Sequence, residues 1–128
     1  MTIRRAAVLM LLLVQFGLLV GGMPQLALTY DEPSHLASGY TALARGLDGL
    51  WTVRERGHPV LVDAWAALPL YVGSPQIALE QLPGWKEDYK AYVGGFIAAV
   101  GPLSVVEIAG RVPIALITIV LSATVYGW

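Results

Sequence analysis

From Ala6 to Met23 the chain carries no charge and only one strongly polar side chain, Gln15. About 20 apolar residues in a helix cross the ~30 Å hydrocarbon core of a bilayer. The run reaches that length, extending to Leu28 if Pro24 and Gln25 lie near its exit, so a transmembrane helix is expected over 6–28. A cleavable signal peptide shares the basic start and apolar core. This run is long for such a peptide, and no small-x-small cleavage pattern follows it, so a retained helix is the expectation. Arg4 and Arg5 ahead of the run bias the N-terminus to the cytoplasm and send residues after Leu28 to the outer face. Gly17, Gly21 and Gly22 leave one side of the helix smooth, either as tolerated glycines or for a close helix contact.

Composition agrees with a membrane setting. Hydrophobic residues make up 56% of the 128 and charged residues 13%, against roughly 25% charged in an ordinary soluble domain. The formal net charge is -1 and the eight Lys and Arg are scattered, so there is no basic patch and nucleic-acid binding is excluded. With no Cys there are no disulfides, thiol nucleophiles or thiolate metal sites. Two His and nine carboxylates remain for acid/base or metal work. There are no internal repeats or low-complexity tracts.

After the first run come Thr29-Tyr30-Asp31-Glu32-Pro33. Pro33 suits a first helical turn, and carboxylates just before it lie at the positive end of the helix dipole. Leu36, Tyr40, Leu43 and Leu47 recur at helical spacing, which predicts a helix over about 33–47, too short to span and therefore lying along the surface. His35 reads as a packing or interfacial residue of that helix. Trp51 to Gly57 reads as an exposed turn or short strand, and His58-Pro59 opens a second interfacial helix over about 59–72, with Asp63 and Trp65 on its surface and interface faces. From Gln76 to Tyr92 the chain is more polar, with Pro83-Gly84 a turn and Lys86, Glu87, Asp88 and Lys90 a solvated cluster.

Arg111-Val112-Pro113 introduces the last apolar run, Ile114 to Trp128. Fifteen or so residues at ~1.5 Å each cover about 22 Å, short of a crossing. Either the helix starts earlier, near Leu103, with Glu107 and Arg111 facing protein or the outer surface, or the sequence is the front part of a longer protein. The expected fold is thus all-α and integral to the membrane. Transmembrane helices at 6–28 and 103–128, the second read as cut short, are joined by an extracytoplasmic loop over 29–102 with short amphipathic helices. The expected location is the inner cell membrane, multi-pass, with the N-terminus cytoplasmic.

The order of these features carries a family resemblance. A basic start and one transmembrane helix precede Tyr30-Asp31-Glu32-Pro33-Ser34-His35-Leu36 with Gly39-Tyr40. Gly57-His58-Pro59-Val60-Leu61 then leads into Ala66-Ala67-Leu68-Pro69-Leu70, and Arg111-Val112-Pro113 opens the next helix. This resembles the N-terminal part of lipid-linked-sugar-dependent glycosyltransferases of the GT-C fold, most closely the protein mannosyltransferase and aminoarabinose transferase branch. Gln76 to Val100 matches no motif of that class, and Val60 stands where relatives carry a second Pro.

The resemblance implies transfer of a sugar from a polyprenyl-phosphate carrier to an acceptor at the outer membrane face. It places Asp31, with its neighbour Glu32, at the catalytic centre, as general base or as ligand to a divalent metal. His58 falls where relatives carry a basic or polar residue before Pro-Pro, and reads either as a contact to the lipid phosphate or as a plain turn residue before Pro59; Arg54 and Arg56 are phosphate contacts or solvated loop charges. Asp31-Glu32 also reads simply as a charge pair at a helix N-terminus. Members of that class have roughly ten or more transmembrane helices, so the partners expected are the lipid bilayer, the polyprenyl-phosphate sugar and the remaining part of the transferase. The alternative is a small non-catalytic subunit that packs against other membrane subunits.

Overall fold

The computed structural model describes residues 3–50, 59–73 and 76–127. Trp51, Arg54, Arg56 and His58 lie outside the described residues, and so does the turn or strand expected around them. Among the described residues every regular element is helical: α1 Ile3–Gly22, α2 Glu32–Arg45, α3 Val60–Gly73, α4 Tyr89–Val100 and α5 Leu103–Gly127. Single 3-10 turns stand at Met23–Gln25, Leu47–Gly49 and Leu79–Gln81.

Two segments, Ile3–Gln25 and Leu103–Gly127, are long and apolar enough to cross a membrane. They run antiparallel. Near one end the Arg4 guanidinium lies 5.4 Å from the centre of the Tyr126 ring. Midway, Gln15 Nε2 donates to Ser122 Oγ at 3.2 Å, and at the other end Arg111 donates to the Met23 carbonyl. The single polar residue of the first run thus meets a hydroxyl of the last, which removes the cost of an unpaired amide in apolar surroundings. No side chain of α1 is buried, and Leu11, Leu13 and Leu18 are 64%, 70% and 74% exposed. Gly17, Gly21 and Gly22 have no atom of the chain within 4 Å of where a Cβ would stand, so they mediate no helix contact within this chain.

Helix α5 has 25 residues, about 37 Å at ~1.5 Å per residue. It reaches back to Leu103 past Glu107 and Arg111, so the shortfall expected for the last apolar run does not arise. The Gly101-Pro102 step, with Gly101 at φ +140°, separates it from α4.

The packed core sits beside this pair and is built on α2. Leu36, Ala37 and Tyr40 of α2, Ala66, Ala67 and Leu70 of α3, Leu79, Tyr92 and Phe96 of α4, and Val106 of α5 form one buried cluster, Leu79 lying in the turn before α4. The Tyr40 ring meets Phe96 and Tyr71 at centroid distances of 5.2 and 5.5 Å, contacts worth about 0.5–1.5 kcal/mol each beyond burial. At Gly39 a methyl group would overlap the Asp63 backbone carbonyl, so α2 and α3 cross with their backbones in contact. Gly110 makes a similar approach, since a Cβ there would stand 2.8 Å from a Leu36 methyl.

The apolar stripe expected through Leu47 stops short. Gly46, at φ +67°, ends α2 and donates its N–H to the Ala42 carbonyl, a left-handed exit that glycine takes without a Cβ clash. Leu47 then points outward, 73% exposed.

The polar stretch before α4 is more structural than its charges indicate. Asp88 caps the helix, its Oδ1 accepting from the Lys90 and Ala91 N–H groups at 2.9 and 3.2 Å. Tyr92 is buried and its hydroxyl meets Thr41 Oγ1 at 2.6 Å. Thr41 gives its own proton to the Ala37 carbonyl, so Tyr92 is the donor of that pair. Burial pushes the Tyr92 phenol up to about 12.

Candidate membrane-surface site

The candidate site lies where α1 ends, α2 begins and the upper third of α5 passes. Its first component is a fully used guanidinium. Arg111 Nε and Nη2 donate to the two oxygens of Glu32, both at 2.8 Å. Nη1 donates to the carbonyls of Met23 and Leu26 at 3.0 and 2.7 Å, and Nη2 also donates to that of Ala27 at 2.9 Å. Arginine has five N–H donors in a planar fork, and here each has an acceptor. Three of those acceptors are carbonyls of the exit from α1; that of Met23 also accepts the Leu26 N–H of the 3-10 turn at 3.3 Å.

Glu32 is therefore held from two sides, since its Oε2 also accepts the Thr29 N–H at 2.8 Å. The hydrogen bond from Arg111 holds its carboxyl below the usual carboxylate range, against partial burial. Its neighbour faces the other way. Asp31 is the N-cap residue of α2 without a side-chain cap. Its side chain is 68% exposed, and its Oδ1 accepts from Thr29 Oγ1 at 2.9 Å. That hydrogen bond, with backbone N–H groups adding to it, lowers the Asp31 carboxyl too. Asp31 is ionised at neutral pH and open to solvent.

One turn further along α2, His35 faces both acidic neighbours. Its Nε2 is 3.8 Å from Asp31 Oδ2, and its Nδ1 is 2.8 Å from Asp63 Oδ1. Asp63 is 2% exposed, so the expectation that it sits on the outer face of its helix is corrected: it is turned in under α2. The close crossing at Gly39 makes that reach possible, because a larger residue there would push α3 and its carboxylate away. His35 correspondingly does more than pack. Trp65 remains partly exposed, and its Nε1 donates to the Pro113 carbonyl at 2.9 Å, tying α3 to α5.

These groups stand at one end of a cavity of about 430 Å³ between α1, α2, α3 and α5. Glu32, His35, Asp63, Glu107 and Arg111 line its polar end, while Leu19, Met23, Ile114 and Ala115 line the part flanked by the two long apolar helices. The lining is mainly apolar, with a few charged groups set into it near the start of α2.

The structure brings Asp31 and Glu32 to one helix start but gives them different partners. A metal held by both carboxylates would have to displace Arg111 from Glu32, so the pair as arranged does not fit a shared cation. Among the described residues no group of three His, Asp or Glu is placed to hold a metal. Reasoning from sequence missed three contributors: Arg111 as a clamp, His35 and Asp63. Asp63 had a signal, being the sole charge in the apolar segment Val60–Gly73; such a charge is costly unless it is paired.

Comparison with known protein families, curated proteins and solved structures finds no match to this chain.

Proposed function

We propose that these residues form the membrane-surface portion of a glycosyltransferase that moves a sugar from a polyprenyl-phosphate carrier to an acceptor at the outer face. In this reading α1 and α5 cross the inner membrane as an antiparallel pair, the N-terminus is cytoplasmic, and the segment from Thr29 to Pro102 lies outside.

The observation that carries the reading is a cavity walled in part by two helices of membrane length, with His35 on its lining and an ionised, solvent-exposed Asp31 outside it, 3.8 Å from His35. A lipid-linked donor needs an apolar wall for its chain and polar groups at its head, and the cavity lining offers both. The motif resemblance supplies the reaction class. Asp31 is the carboxylate that meets the reacting groups; Glu32, fastened to Arg111, positions it by fixing the start of α2. No step is assigned to a metal, since the carboxylate pair does not fit one.

The test is sugar transfer by the full protein in proteoliposomes. Polyprenyl phosphates carrying labelled mannose or aminoarabinose, the sugars the resemblance implies, serve as donors. Asp31→Asn is expected to abolish transfer while expression and detergent elution stay as in the wild type. Near-normal turnover in that variant would refute the role.

A second reading, a non-catalytic subunit of a larger membrane complex, draws on the exposed face of α1 with its three uncontacted glycines. It requires that α1 be protected by a partner helix in native membranes. The proteoliposome assay separates the two, since Asp31-dependent sugar transfer refutes a purely non-catalytic subunit, whereas a protein that cross-links to a partner from a cysteine at Gly17 but transfers no sugar supports it.

A further inference from the structure

Asp63 is among the most enclosed charged groups of the described residues, and it sits on a helix that carries no other charge. Its Oδ1 meets His35 Nδ1 at 2.8 Å. A buried carboxylate in that position accepts the Nδ1–H hydrogen bond and so fixes the imidazole tautomer, which leaves the basic lone pair on Nε2. Nε2 is on the side of the ring that approaches Asp31, at 3.8 Å, and His35 lines the cavity with Glu32, Glu107 and Arg111. A buried carboxylate that orients an imidazole toward a substrate-sized space is the arrangement of a general base. The backbone contact at Gly39 is what sets its geometry.

Resting on the transferase reading above, we propose that His35, oriented by Asp63, takes the acceptor's proton, and that Asp31 stabilises the imidazolium that results. The acceptor hydroxyl oxygen forms its bond to the anomeric carbon of the sugar. The bond from that carbon to the phosphate oxygen breaks, and its electron pair leaves with the polyprenyl phosphate. The hydroxyl proton passes to His35 Nε2. The imidazolium then lies between two carboxylates, and its proton is released to water at the rim, where Asp31 is 68% exposed. Asp31 alone, ionised and held low by its hydrogen bonds, is a weaker base at neutral pH than an imidazole.

A His–Asp tie that serves only to join α2 to α3 would show the same distances, so the test reads the imidazole itself. In the full protein, labelled with 15N-histidine and with His58→Gln to leave one signal, His35 is expected in the Nδ1–H form. Asp63→Asn is expected to shift it to the Nε2–H form. Transfer from the same labelled polyprenyl-phosphate donors is expected to fall about 10²–10⁴-fold in Asp63→Asn and in His35→Ala. Added imidazole is expected to restore part of the activity of His35→Ala but none to Asp31→Asn. Should His35→Ala not fold, His35→Gln and the tautomer measurement carry the test.

Transfer within a few-fold of wild type in His35→Ala, with Asp31→Asn inactive, overturns the proton role and leaves the transferase reading standing. An unchanged tautomer in Asp63→Asn, or loss of activity in His35→Ala without imidazole rescue, also overturns it. A wild-type protein that transfers neither sugar overturns the transferase reading and this inference together.

Discussion

Replacing Arg111 tests how the site is held together. Arg111→Met keeps most of the side-chain volume and removes all five donors. The loss falls in two parts. Removing one partner of a buried ion pair costs about 3–5 kcal/mol, but Arg111 and Glu32 side chains are 14% and 28% exposed, so water reaches the abandoned carboxylate and about 2–3 kcal/mol is the better expectation. The three carbonyls of the α1 exit add little, because those of Leu26 and Ala27 are already near solvent. Arg111→Lys keeps the charge but not the fork, and is expected to lose about half as much. The double variant Glu32→Gln with Arg111→Met is expected to cost less than the sum of the singles by about 1–2 kcal/mol.

The assay is unfolding of the detergent-solubilised protein by SDS, followed by tryptophan fluorescence, at neutral pH and again below pH 4.5. Glu32 has a folded value lowered from 4.5, so the stabilisation from this pair is present above 4.5 and is lost as pH falls through the folded value. The gap between wild type and Arg111→Met is therefore expected to close in acid. A variant within about 0.5 kcal/mol of wild type at neutral pH refutes the clamp, and so does a gap that widens in acid.

Other expectations follow from single contacts. Asp88→Ala removes the cap of α4 and is expected to cost about 1 kcal/mol by the same unfolding assay. Gly39→Ala forces a methyl onto the Asp63 carbonyl; the expected outcome is a separation of α2 from α3, read as loss of the Nδ1–H signal of His35. The exposed Arg45–Glu80 pair, with Nε to Oε1 at 2.6 Å, holds Glu80 down to about 2. Its contribution is present above 4.5 and fades between there and about 2, and Arg45→Gln is expected to change neutral-pH stability only slightly because both groups are solvated. Trp65→Phe removes the bond to the Pro113 carbonyl and is expected to cost about 1 kcal/mol.

What the sequence discloses here depends on how local the cause is. The apolar run from Ala6 needs no partner to be recognised, and neither does the Pro33 start of α2, because each follows from neighbours in the chain. The pairing of Glu32 with Arg111 joins positions 79 apart, and no local pattern marks it. Arg111 looked like the boundary of an apolar run, whereas it is a fastening inside a longer helix. Leu47 kept the helical spacing, yet the left-handed glycine at 46 ended the helix at Arg45, two residues earlier, so spacing alone misplaced it. Tyr89 and Tyr92 sat in a stretch read as polar because their hydroxyls and rings act in different settings: the Tyr89 hydroxyl reaches Ser38 and the Ser34 carbonyl, while the Tyr92 ring fills the core. The His35–Asp63 contact depends on the backbone approach at Gly39, a property of the helix crossing that a one-dimensional reading does not contain.

Sugar transfer at the outer face requires that Asp31 and His35 stand at the outer surface with α1 crossing beneath them. The chain has no cysteine, so single replacements give unambiguous labelling. Ile3 begins α1 and Tyr30 lies past its other end, just before α2; they are 91% and 95% exposed. In intact cells a membrane-impermeant maleimide is expected to label Tyr30→Cys and to leave Ile3→Cys unlabelled until the membrane is permeabilised. Equal labelling of both before permeabilisation, or the reverse order, would contradict the account.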